Sequence, residues 1–418
     1  MPQNSFRLAP RLALAFIAVL VIALLVGGLP ENGEEIARLT YASSPDRRSD
    51  NADVSPDGSI VVFHSDSDFR SQGIEKGDYN IWRLDVASRE LTRISDPLQP
   101  GRVSTSAVMS GDGQRIVFRG DGDFLGEGIL EKQYQVWLYD ANLDTISRVS
   151  DPVQEGRISA SPVISEDGST IAFTSDCDFL GEGIEDGNFH VWLYDVSSGE
   201  LTRITDPQDD RRDGRNPSLS DDGSILVFES DCDFLGEGIL KDQTEIWHYD
   251  VTTDEYTRVT RSTDPNRMSS YPTVSGDGTR VLFRSDVDFH AEGIIEDQTE
   301  IWAYQMATAS LWRITHLSDD DRGCYSPSIS TDGTRAFFIS NSDFLGEGIT
   351  ASQFEAWLFS FSDGTLHRIS YSPGDGRYTS RGTLSSDGTI VVFANDTDFF
   401  GDGIADQQTE LWLWSEQP

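Results

Sequence analysis

At 418 residues, with 37% hydrophobic and 25% charged side chains, the chain has the composition of a folded globular protein and is too long for one ordinary hydrophobic core. Its 71 acidic against 32 basic residues give a formal charge of −39, which repels nucleic acid and anionic lipid; no nucleic-acid partner is expected, and a membrane is met only through the N-terminal segment. The acidic excess is spread along the chain, as in a surface adapted to salty water or in one that binds cations.

The chain opens with Arg7 and Arg11 ahead of an uncharged run from Leu12 to Leu29 that ends at Pro30, the charged-then-apolar order of an export signal. Residues 1–30 therefore read either as a signal peptide, with Val26-Gly27-Gly28 as a small-residue cleavage site, or as a retained anchor, because the run is just long enough to span a bilayer. Both readings place the protein outside the cytoplasm: periplasmic, secreted, or anchored and facing outward.

Residues 34–418 are a repeat. An Asp-Gly pair recurs at Asp57, Asp112, Asp167, Asp222, Asp277, Asp332 and Asp387 with a spacing of 55 and no insertion. Phe63 and Trp82 each recur at the same step in all seven units, as far as Phe393 and Trp412. Within the third unit, Ser159–Ser165, Thr170–Ser175, His190–Tyr194 and Leu201–Thr205 read as four short strands separated by turn residues. Four strands per repeat at this period predict an all-β fold, a seven-bladed β-propeller of four-stranded blades. The last unit stops at Leu411-Trp412-Leu413-Trp414, one strand short, and Ile36-Ala37-Arg38-Leu39-Thr40 aligns with Leu91-Thr92-Arg93-Ile94-Ser95. The N-terminal strand is therefore expected to complete blade seven and close the ring, leaving no open sheet edge.

Ser55-Pro56-Asp57-Gly58 with its Ile-Val-Val-Phe strand, then Ile81-Trp82-Arg83-Leu84-Asp85 and Leu91-Thr92-Arg93-Ile94, resembles the TolB-type propeller repeat over all seven units. The resemblance implies the fold. Since that repeat serves periplasmic translocation proteins, peptidase propeller domains and some sugar lyases, it leaves the function open among them. Seven units also depart from the TolB pattern itself.

Two repeated features fall on one face. Arginines at 47, 102, 157, 212, 267, 322 and 377 stand ten residues before each Asp-Gly, and an acidic Asp-x-Asp-Phe loop links the second and third strands. One reading pairs the arginines with the Asp68-type carboxylates as braces, while Phe69, Phe124 and Ile74 plug each loop into the core. The other is calcium, because oxygen ligands at alternate positions followed by a glycine turn suit a hard cation. Candidate ligands are Asp121, Asp123 and Glu127; Asp176, Asp178 and Glu182; Asp231, Asp233 and Glu237; and Asp396, Asp398 and Asp402.

The tryptophans read as blade packing, and Cys177, Cys232 and Cys324 as free thiols, the first two being too far apart in equivalent blade positions to pair. The six histidines occupy unrelated repeat positions, so no catalytic residue is assigned; His316 and Cys324 are the one nucleophile pairing the sequence offers. The sequence thus describes an extracytoplasmic binding or scaffold propeller whose loop faces meet a protein or glycan partner, with calcium as its one cofactor expectation. A glycan lyase or hydrolase acting at the channel, and a self-associating surface or assembly protein, are the alternatives. In the lyase case an asymmetric cluster of His, Arg and acids is expected at the channel mouth.

Overall fold

Runs such as Ile60-Val61-Val62-Phe63 are apolar on both strand faces, which suits a strand covered on both sides. The computed structural model describes residues 34–416 apart from 98, 152–155, 206–211, 318–321, 373–378, 402 and 406–407. The apolar segment 1–30, Arg377 and Asp402 lie outside the described residues. The described residues form seven four-stranded antiparallel sheets, the blades. In the first blade these are β2 (Ser49–Val54), β3 (Ile60–Ser65), β4 (Asn80–Asp85) and β5 (Leu91–Arg93), running from the axis outward. The third blade begins its strands at Ser159, Thr170, His190 and Leu201, as the sequence predicts.

β1 (Glu34–Arg38) pairs with the last strand, Glu410–Glu416, in the register Glu34↔Glu416 to Arg38↔Trp412. The N-terminal strand therefore closes the ring. Its seam is tied by Leu39 N donating to Leu411 O at 2.8 Å and by the Arg38 guanidinium on the Glu410 carboxylate at 2.8 Å.

Every blade places its phenylalanine opposite its tryptophan across the middle two strands, from Phe63↔Trp82 to Phe393↔Trp412. These seven of the nine tryptophans are fully buried, and the clusters they join span neighbouring blades. Val61, Phe63 and Trp82 of the first blade pack with Val392, Leu411 and Leu413 of the seventh. Burial of several such side chains per blade interface, each worth about 2 kcal/mol, stabilises the ring.

On one face, the turn face, the Asp-Gly turns need glycine for two reasons. Gly58 has φ +73°, and a Cβ there would lie 2.2 Å from Ile390 Cδ1 of the adjoining blade. The opposite, loop face carries the acidic loops and the connections between blades.

Candidate functional site

On the loop face the repeated charges serve as internal braces. Asp121 accepts the N–H of Val103 at 2.7 Å and of Lys132 at 2.8 Å, and Asp123 accepts those of Glu127 at 2.8 Å and Gly128 at 2.9 Å. Asp176 and Asp178, and Asp231 and Asp233, repeat the arrangement in the next two blades. In the last blade Asp398 accepts from Gly403 at 2.8 Å, and Asp396 is buried beside it. Burial pushes the Asp123 and Asp233 carboxyls up, but the N–H groups they accept outweigh it and hold both below the usual range. Glu127, Glu182 and Glu237 turn outward and pair with Arg148 at 3.1 Å, Arg203 at 2.9 Å and Arg258 at 3.1 Å. Among the described residues, no group of three or more His, Cys, Asp or Glu side chains is arranged to hold a metal.

The arginine row differs from the expected pairing. Arg47, Arg102, Arg212 and Arg322 each donate to two backbone carbonyls of the acidic loop, and Arg157 to three, rather than to an Asp68-type carboxylate. In Arg212 these are Asp231 O and, at 3.1 Å, Ile239 O. The Asp68-type carboxylates have already been taken by the two N–H groups of their own turn, and the guanidinium fork fits the carbonyls left pointing inward. The loop's Phe plugs are as expected: Phe124 meets Trp137 edge-on at 4.9 Å.

The three cysteines are free and buried, and burial pushes the Cys324 thiol up to about 12, which leaves it a packing residue rather than a nucleophile.

Chemistry with no sevenfold regularity gathers at the axis. Each inner strand is bulged, and in every blade but the seventh a residue with left-handed φ sits at the bulge: Asn51, Ser106, Ser161, Asn216, Tyr271 and Ser326. With Arg381 at the equivalent place in blade seven, they line a central cavity of about 510 Å³. Next to them the sequence departs from the repeat. Arg119 lies over the Tyr134 ring at 3.8 Å, Arg215 over Phe189 at 4.4 Å, and Arg284 over Tyr271 at 4.3 Å. His64 meets Tyr79 edge-on at 5.2 Å, and burial lowers its pKa. The acids present are internally satisfied. Glu229 accepts from Asn216 Nδ2 at 2.9 Å and Tyr271 N at 2.7 Å, and Asp50 accepts from Ser380 Oγ at 2.9 Å.

None of these residues stands out in a search for repeated motifs. The signal that finds them is the reverse: positions 50, 51, 64 and their equivalents change in a chain whose other positions hold at a step of 55.

The architecture is that of a seven-bladed β-propeller with an asymmetric polar axis. No family model matches the chain, and no curated protein matches it in sequence. Among solved structures it is similar to an oligogalacturonate lyase in complex with manganese, at 14% identity and TM-score 0.56 over 91% of this chain and 93% of that one. The β-propeller domain of the trilobed protease from Pyrococcus furiosus aligns at 14% identity and TM-score 0.58 over 90% and 94% of the two chains. A putative TolB from Agrobacterium tumefaciens aligns at 18% identity and TM-score 0.46 over 73% and 93%. At these identities the likeness is one of fold.

Proposed function

We propose that the protein is an extracytoplasmic binding propeller that docks a protein or glycan partner on its loop face. The observation that carries this reading is a patterned apolar surface. Leu125, Leu180, Leu235 and Leu345 share one position of the acidic loop, and Leu130, Leu240 and Ile295 share another, all between 45% and 54% exposed. Single exposed leucines are ordinary, but two rows of them on one face of a highly acidic protein are a surface suited to a partner. The export-type run at 12–29 supports an extracytoplasmic location.

The test replaces Leu125, Leu180, Leu235 and Leu345 together by serine. Cross-linked partners recovered from the cell envelope should be lost while the melting temperature holds; equal recovery removes the reading. Sedimentation of the same pair of proteins separates self-association, because only then does the variant change the mass of the purified protein.

A second reading, a glycan lyase or hydrolase, is favoured by the mixed His64, Asp50, Arg119 and Arg381 group at the channel and by the oligogalacturonate lyases among the structural neighbours. Incubation with polygalacturonate, followed by ultraviolet absorbance of unsaturated products and by a reducing-end assay, decides it. No change in either sinks that reading.

A further inference from the structure

The axial channel is polarised along its length. At the loop-face end stand Arg119, Arg215, Arg284 and Arg381, and of these only Arg215 forms an ion pair among the described residues, with Asp213 at 2.8 Å. On the turn face, backbone bonds run from blade to blade around the axis, including Gly111 N to Glu166 O at 2.8 Å, Asp221 N to Gly276 O at 2.9 Å and Ser386 N to Pro56 O at 3.0 Å. They draw the turns into a belt that also carries carboxylates. Glu166 Oε2 lies where a Cβ at position 111 would be, 2.0 Å away, and the Asp221 carboxylate covers Gly276 in the same way at 2.3 Å. An anion is therefore attracted at the mouth and repelled at the floor.

Arg119 is the group in this channel left with most to offer. Its Nε is buried without a hydrogen-bond partner, one face of its guanidinium is covered by Tyr134, and it forms no ion pair among the described residues. An unpaired cation held by stacking inside a protein of net charge −39 is costly unless something else neutralises it. Arg381 lines the same cavity and donates Nη1 to Asn51 Oδ1 at 3.1 Å. Below them the bulged residues turn hydroxyls and amides to the axis, a lining that hydrogen-bonds to a ligand's own hydroxyls and offers little to an apolar one.

We propose that the channel mouth binds a small hydroxylated carboxylate, whose carboxylate pairs with Arg119 while its hydroxyls meet Asn51, Ser106, Ser161 and Asn216. Arg381, across Asn51, adds positive potential at the entrance. The bidentate match of guanidinium to carboxylate sets the specificity, and the acidic floor fixes which end of the ligand faces outward. The site is separate from the leucine rows of the loop face and stands or falls independently of them.

Gluconate and malate are the probes, with glucose and sodium chloride at matched ionic strength as controls, read by isothermal titration and thermal unfolding of the full chain. At least one of the two acids should bind saturably and raise the melting temperature, while glucose and chloride do neither. Arg119→Gln should weaken that binding at least about tenfold, and Arg381→Gln by a smaller factor, with the ligand-free melting curve of the exposed Arg381 variant unchanged. If Arg119→Gln does not fold, the Arg381→Gln result decides. Failure of both acids to bind, or undiminished binding in the variants that fold, overturns the proposal.

Discussion

Arg212 shows how a repeated charge can be structural without being half of an ion pair. Its guanidinium holds Asp231 O and Ile239 O, whereas Asp233 is held by the N–H groups of Glu237 and Gly238. Arg212→Met should cost on the order of 1–3 kcal/mol, and Asp233→Asn about 1 kcal/mol, both read by denaturant unfolding. The double variant should be additive to within about 0.5 kcal/mol; a larger coupling would restore the direct pair. Glu166 carries a pH dependence. Burial pushes its carboxyl up to about 7, helped by Asp53 and Asp221 nearby. Its folded-state pKa lies above the unfolded value near 4.5, so its favourable contribution is complete below that value and lost as pH rises through about 7. Glu166→Gln should therefore leave the melting temperature unchanged at pH 4 and raise it at pH 8. Glu166 is partly exposed, which limits the gain to on the order of 1 kcal/mol.

Within the blades, the start of the third strand divides the repeats into two kinds. Glu245, Glu300, Glu355 and Glu410 are fully buried there, and each meets an arginine of the outer strand; Arg258, Arg368 and Arg38 do so at 2.7 to 2.8 Å, and Arg313 at 3.4 Å. In the first blade Arg93 instead bonds the neutral Asn80 at 2.8 Å. Removing Arg258 strands a buried carboxylate, so Arg258→Met should cost about 3–5 kcal/mol, against about 1 kcal/mol for Arg93→Met. Equal losses in thermal unfolding would overturn this difference between the two kinds of blade. The four strands, their tryptophan and phenylalanine plugs and the N-terminal closure were legible because each depends on a pattern repeated every 55 residues. The partners of the arginine row were not, because a carbonyl has no letter in a sequence. The axial cluster escaped for another reason: His64, Arg119, Arg284 and Arg381 sit on separate blades and come round one axis only when the ring closes.

For the molecule as a whole, the −39 charge raises the question of cations. The paired N–H donors on Asp121, Asp123, Asp231 and Asp233 already occupy both oxygens of each carboxylate. Calcium should accordingly raise the melting temperature of chelator-treated protein no more than sodium at equal ionic strength. A rise specific to calcium and growing with the logarithm of its concentration would put ions in these loops. The seam strand has a further consequence. Glu34 pairs with Glu416, whose N–H donates to Thr389 O beside the Asp387-Gly388 turn, so the chain enters the ring on the turn face. Three residues, 31 to 33, separate Glu34 from Pro30, and the four steps from one to the other reach at most about 14 Å. With the apolar run kept in a bilayer, so short a tether leaves the disc one way to hang: turns toward the lipid headgroups, leucines and arginine-lined mouth toward whatever arrives from outside.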